Sequence, residues 1–353
     1  MAQKKNTNDK LAAFRKLLRQ NELDGYIVTN NLDQFYLTGF FFYPDEAVFV
    51  VGSKKIVCFT RSLYEESFGK FAPYVQVIAD DGDRLAAALK KAQELGLKHA
   101  GFDASKETYL SGKQLLAAGC VEAPSFITTL RETKDADELK VMRQANRIAY
   151  LTYEYIKPRV KTGMTELQVA AEMEKFMRAQ GATTTSFYTI VAFGENAANP
   201  HHETSDRKLK SEDAVLMDFG CLYKGYCSDM TRSWWHGKKE PAEYTKIWKL
   251  VDEARKKGIK AVRIGTPCKT VDATSREVIS KGGYGEYFTH GTGHGVGMEI
   301  HENPYNSQLS EAVLKEGNVV TVEPGIYLTG KFGVRLEDTV AVTKKAANIL
   351  TRK

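Results

Sequence analysis

Five residues far apart in the chain, Asp218, Asp229, His294, Glu323 and Glu337, constrain this sequence more than any other feature, because each sits in an apolar or alternating, strand-like run. The first two lie in AVLMDFGCLYKGYCSDMTRSWW, residues 214–235, with Lys224 and Gly225 making a turn between two runs. That pattern reads as a β-hairpin. Side chains alternate faces along each strand, so Asp218 and Asp229 are expected opposite one another and pointing the same way. Two carboxylates so placed repel unless a cation neutralises them. His294 follows in THGTGHGVGMEIHE, Glu323 in VVTVEPGIY and Glu337 in GVRLEDTVAV. One imidazole and four carboxylates are too anionic for a single ion and suit two divalent ions bridged by carboxylate and water. The imidazole argues against Ca and the lack of a thiolate against structural zinc, which leaves Mn, Co, Fe or Zn. Two such ions about 3.5–4 Å apart generate hydroxide near neutral pH and polarise a carbonyl, so the chemistry implied is hydrolysis.

Each segment alone has an ordinary reading. An aspartate at a hairpin end is usually a turn or solvated residue, and Glu323-Pro324-Gly325 reads as a turn. GTGHGVG imitates a phosphate-binding glycine loop, but no helix follows it; Met298-Glu299-Ile300-His301 alternates instead. Asp218-Phe219-Gly220 imitates the metal-binding triplet of kinases, yet the companion catalytic-loop motif is missing. The ordered set of segments decides between these readings.

In LMDFGCLYKGYCSDMTRS, HGTGHGVGMEIHE, TVEPGIY and GVRLEDT, taken in order and with their approximate spacing, the chain resembles the M24 peptidase family. That family contains methionine aminopeptidase, aminopeptidase P, prolidase and the metal-free creatinase. The resemblance implies that Asp218 chelates one metal, Asp229 and Glu337 bridge both, and His294 and Glu323 hold the other. Manganese heads the candidates, with Co, Zn or Fe as alternatives. It further implies that His201, in ANPHHETSDRKL, contacts bound substrate, that His301 hydrogen-bonds the reacting carbonyl, and that His290 is a pocket histidine of the proline-specific branch. The chemistry asks for such histidines independently, because a tetrahedral intermediate develops negative charge and its leaving nitrogen must gain a proton. His202 is either a second functional histidine or a bystander, and His99 and His236 read as bystanders. Arg335, two residues before Glu337 on the same strand face, leans toward the centre to orient a carboxylate or the substrate.

At 353 residues two domains are the natural expectation, and 42% hydrophobic content is enough for ordinary cores. The net charge of +6 is spread rather than clustered. Its densest run, Arg255-Lys256-Lys257, falls on a predicted helix and reads as a solvated face, not a nucleic-acid stripe. No apolar segment approaches membrane-spanning length, and the polar start MAQKKNTNDK lacks a signal-peptide core. Five cysteines without a disulfide framework fit a reducing cytoplasm.

Residues 1–132 alternate helical and strand signals: helices over 10–19, 84–95 and 110–118, strands over 24–29, 47–51, 55–60, 74–78 and 99–102. This is an α/β layer around a mixed sheet, similar to the creatinase-like N-terminal domain of aminopeptidase P and prolidase, including DQFYLTGF at 33–40. From 133 to 353 the resemblance implies the pita-bread catalytic fold. Asp135 with Glu138 and Thr165 with Gln168 are helix starts. About a hundred residues on, a helix from Pro241 to Val262, a break at GTPCKT and a helix over 271–279 repeat the pattern, hinting at two pseudo-symmetric halves with the centre in the crevice between them. The N-terminal domain and His290 favour peptide substrates with proline in second position. Many prolidases carry an arginine after the segment His301-Glu302-Asn303-Pro304; here Tyr305 stands there. The expectation is therefore an Xaa-Pro aminopeptidase, with Xaa-Pro dipeptidase as the alternative and a homodimer as the implied assembly. A metal-free creatinase-like amidinohydrolase and a non-catalytic pita-bread binding module are disfavoured, because all five ligand positions are filled.

Overall fold

The computed structural model describes residues 2–352, with side chains from Asn8 onward, as two compact units, Met1–Arg131 and Glu132–Lys353. The first unit is built on a six-stranded mixed sheet. Its strands run in the spatial order Gln76–Ala79, Ile56–Thr60, Ala47–Gly52, Gly25–Val28, Ala100–Asp103, Val121–Ala123. Gly25–Val28 pairs antiparallel to Ala47–Gly52 and parallel to Ala100–Asp103, so parallel and antiparallel ladders meet at the centre. Both faces of the central strands are buried, which is why their sequences are continuous apolar runs rather than alternating ones. Helix Arg84–Glu94 lays Ala88 and Ala92 against Val50, Val57 and Phe102, the small side chains allowing close approach.

In the second unit the two expected helix starts are complete capping boxes. Asp135 accepts from the Glu138 amide and Glu138 returns a bond to the Asp135 amide; Thr165 and Gln168 do the same. Each box satisfies backbone donors that the helix itself leaves open, worth about 1 kcal/mol. The helices they open, Ala136–Ile156 and Glu166–Ala179, bury Ile148, Ala149, Val169 and Met173 against Val191, Val215 and Met217 of the strands behind them. A second pair, Ala242–Ala261 and Cys268–Lys281, packs likewise in the later half.

The backbone makes the duplication explicit. Gly163 and Gly265 both adopt positive φ, 92° and 81°. The Gly163 amide donates to the Leu209 carbonyl and the Gly265 amide to that of Leu314, while Leu209 and Leu314 donate back to Met164 and Thr266. Isolated bridges join Thr165 to Lys208 and Pro267 to Val313. The step from Leu209 to Asp218 equals the step from Leu314 to Glu323, so a carboxylate stands at the matching chain position in each half.

Two local expectations are corrected by the packing. Residues 296–301 form a bend region and the strand begins only at Glu302, because the Gly297 amide bonds the Glu299 carbonyl instead of a neighbouring strand. Arg255 is not part of a solvated face: it turns inward, 11% exposed, onto Asp252 and the buried Asp338, while Lys256 and Lys257 remain outside. Among the described residues no helix is long and apolar enough to cross a membrane.

Candidate metal centre

Strands Asp213–Phe219 and Met230–His236 pair antiparallel with Thr231 opposite Asp218. Asp229 precedes the second strand, so the two aspartates are diagonal neighbours on one face rather than direct partners as expected. The reason lies in the chain between them, which makes a small hairpin of its own, Cys221–Tyr223 against Tyr226–Cys227. Its turn residues Lys224 and Gly225 have φ of 49° and 82°, the two positive values that a tight two-residue hairpin needs.

One ligand-type oxygen each from Asp218, Asp229 and Glu337 lies within 4.8 Å of the others. Glu337 follows strand Phe332–Arg335, and its Oε2 accepts from the Thr231 hydroxyl at 2.7 Å. His294, on the short strand Gly293–Gly295, extends the group: its Nε2 is 3.5 Å from Asp229 Oδ2 and 3.3 Å from Glu323 Oε1. On the other side of its ring, Nδ1 faces the Gly295 carbonyl at 3.0 Å, so the proton sits there and Nε2 turns a lone pair to the carboxylates. The Thr321 hydroxyl donates to Glu323 Oε1 at 3.1 Å.

Electrostatically this is an unfavourable place for bare carboxylates. Burial, then the nearby charges of Glu337, Asp218 and Glu323, push the Asp229 carboxyl well above its ordinary range. Glu337 is raised in the same way by burial and by Glu323 and Asp218. Burial pushes Glu323 up to about 8 despite the opposing charge of Arg335. Burial and His301 lower His294 to about 3, leaving a neutral imidazole of the kind a metal takes. Asp218 Oδ1 and Glu337 Oε1 are buried without a hydrogen-bond partner. Orphaned anionic oxygens, mutually raised carboxyls and a neutral imidazole are together the donor set that divalent cations satisfy.

Arg335 is buried, 3% exposed, and each nitrogen of its guanidinium donates a hydrogen bond. Nη2 donates to Asp218 Oδ2 at 2.7 Å, Nη1 to the Tyr327 hydroxyl at 2.9 Å and the Pro200 carbonyl at 3.3 Å, and Nε to the Thr231 hydroxyl at 3.2 Å. Of the two roles open from sequence, the geometry puts Arg335 on a carboxylate. Tyr327 also meets His290 Nε2 at 2.8 Å, and burial followed by the Arg335 charge lowers His290 to about 4. His301 is exposed, with its ring edge-on to that of His294 at 4.3 Å between centroids. Partial desolvation of its ring, then the charge of His201, lower its pKa, and His201 acts on His290 too, so these histidines face one region. His202 is engaged with Glu166 at 2.7 Å, and His236 with Thr162. Tyr327, Thr231 and Thr321 escaped the sequence reading, although Tyr327 ends TVEPGIY and Thr231 lies two residues after Asp229; a hydroxyl in an apolar strand carries no local mark of the group it will meet.

Residues 10–133 match the Creatinase/Prolidase N-terminal domain, and residues 140–344 match metallopeptidase family M24. Among similar solved structures, the Xaa-Pro dipeptidase from Bacillus anthracis superposes with a TM-score of 0.94 at 35% identity, covering 99% of this chain and 98% of that one. The prolidase from Pyrococcus furiosus gives 0.87 at 31% identity, covering 96% and 99%. The X-Pro aminopeptidase from Thermotoga maritima MSB8 gives 0.88 at 30% identity, covering 95% and 97%. The chain belongs to metallopeptidase family M24.

Proposed function

We propose that this protein is an Xaa-Pro dipeptidase, hydrolysing the bond between an amino-terminal residue and a carboxy-terminal proline. The observation that carries the reading is the convergence of five ligand-type side chains, two of them with orphaned buried oxygens, in a chain that superposes end to end on an Xaa-Pro dipeptidase. The likeness to a prolidase supports the same choice over the aminopeptidase expected from sequence.

In this reading Asp218 would hold one divalent ion, His294 and Glu323 the other, and Asp229 and Glu337 would serve both; manganese is the first candidate, before Co, Zn and Fe. Bound in pairs, such ions bring water to the point of ionising near neutral pH and polarise the scissile carbonyl. The chain's own residues orient everything else. Arg335 holds Asp218 in place through its Oδ2, and the Thr231 and Thr321 hydroxyls bond an oxygen of Glu337 and of Glu323 respectively. His301, neutral at physiological pH, is assigned to donate to the reacting carbonyl oxygen. As the water oxygen bonds the carbonyl carbon the C–N bond breaks, and the proline nitrogen, which carries no hydrogen in the peptide, takes up the proton that the water releases. His201 is assigned the substrate contact on that side, and His290, held by Tyr327, the pocket wall.

Tyr305 favours a second reading. It points outward on the Glu302–Asn306 strand, 43% exposed, where a cation for the dipeptide carboxylate is wanted; an Xaa-Pro aminopeptidase acting on longer peptides needs no such cation. Comparing kcat/KM for an Xaa-Pro dipeptide with that for the corresponding Xaa-Pro-Xaa tripeptide decides between them. A dipeptide preference of tenfold or more is expected, and an equal or reversed ratio overturns the dipeptidase reading.

A further inference from the structure

His201 lies in a segment, 194–205, whose only regular structure is one short 3-10 turn, Gly194–Ala198, and its side chain is exposed. Something other than secondary structure must therefore hold it toward the centre. On one side the anchor is Arg335, which donates to the carbonyl of Pro200, and Gly333, where any Cβ would overlap the Ala197 carbonyl. On the other side is Glu166, the first residue of its helix, with a side chain 0% exposed. Its Oε1 accepts from the Phe193 amide at 2.8 Å and Asn196 Nδ2 at 2.9 Å. Its Oε2 accepts from His202 Nε2 at 2.7 Å, the Ser205 amide at 2.9 Å and the Ser205 hydroxyl at 2.6 Å. His201 sits directly between the two anchored residues, Pro200 and His202.

We infer that Glu166 is a positioning residue whose buried carboxylate latches the 193–205 segment and so sets the place of His201, an inference that rests on the reading that His201 touches substrate. Burial alone drives this carboxyl up, but its donors outweigh that and hold it below the ordinary range, so the latch is charged and its bonds are the stronger charge-assisted kind. The duplication supplies an internal control. In the second half Cys268 stands at the equivalent place: its amide bonds the Ala312 carbonyl as that of Glu166 bonds Arg207, and its side chain is buried without any carboxylate. The helix junction thus forms there without an acid. What the first half has in addition is the buried carboxylate and its five bonds to the segment that carries His201.

The test is a double-mutant cycle on the metal-loaded enzyme, Glu166→Gln, His201→Ala and both together, combined with hydrogen exchange of the 193–205 amides. Glu166→Gln keeps the volume and removes the charge and one acceptor. Exchange at 193–205 is expected to rise while bound metal stays at wild-type stoichiometry. On an Xaa-Pro dipeptide the change is expected to lower kcat/KM tenfold or more when His201 is present and less than twofold when His201 is Ala. Equal losses in both backgrounds, or unchanged exchange, overturn the inference. Should the wild type cleave no Xaa-Pro substrate, the dipeptidase reading falls separately, and the exchange result alone then decides the latch. If Glu166→Gln does not fold, His202→Ala, which removes a single donor, is expected to give a smaller loss with the same non-additivity; additive losses there overturn the inference as well.

Discussion

At the scale of single residues, Arg335 shows how much one side chain can carry when it is buried. Its four hydrogen bonds join Asp218, Tyr327, Pro200 and Thr231, and a lysine in its place has one nitrogen and no planar fork to reach them. Arg335→Lys is expected to lower kcat/KM at least tenfold and to cost about 1–3 kcal/mol of stability through acceptors left unpaired, measured by steady-state kinetics and chemical denaturation. The carboxylates behave in the opposite sense. Glu323 is raised in the folded protein to about 8 from 4.5, so its contribution to stability is present in acid and lost as pH climbs through that interval. The Tm of the chelated protein should therefore fall between about pH 5 and 8, and Glu323→Gln should flatten the fall; a chelated wild type whose Tm rises over that range contradicts the account. Which residue types would gather was legible in the sequence, since acidic side chains in apolar strands demand a cation. That Tyr327 would stand between His290 and Arg335 was not, because its partners lie on separate segments.

At the scale of elements, short-range chemistry did most of the specifying. Asp135 with Glu138 and Thr165 with Gln168 close their capping boxes within one turn, and the central strands of the first unit announce themselves as apolar runs because both of their faces are covered. The Lys224-Gly225 turn is likewise local, and it governs the diagonal placement of Asp218 and Asp229. Gly225→Ala forces a side chain into positive φ and is expected to cost about 1 kcal/mol, a Tm drop of about 2–4 °C, with kcat falling more than that destabilisation alone explains. Thermal melts and kinetics on the variant check it; a kcat equal to wild type would show that the turn does not align the aspartates. Arg255 marks the limit of helix-level reading. Its neighbours in sequence are solvated lysines, and only the strand carrying Asp338, packed against that helix, turns it inward.

At the scale of the whole molecule, the duplicated halves of the second unit each contribute carboxylates to the candidate centre, whose ligand-type side chains come together only when both halves are folded. Metal should therefore act as a ligand of the native state alone. Adding Mn, Co or Zn to chelated protein is expected to raise its Tm with concentration, the added stability reaching about 2.7 kcal/mol at one hundred times the dissociation constant. Asp229→Ala, which removes a carboxylate shared by the centre, should abolish both that rise and turnover while leaving the chelated protein folded; retained turnover sinks the shared-ligand assignment. Legibility falls with distance at this scale. Taken alone, the sequence determined the helix starts, the hairpin turn and the family, because each is written in residues within a few positions of one another or in motifs kept in order. Tertiary structure alone decided that Asp229 sits diagonal to Asp218, that Arg335 binds a carboxylate, and that Glu166 holds the segment beside His201. A buried polar side chain must find its partner wherever packing brings one, and that partner's position along the chain is not encoded by its neighbours.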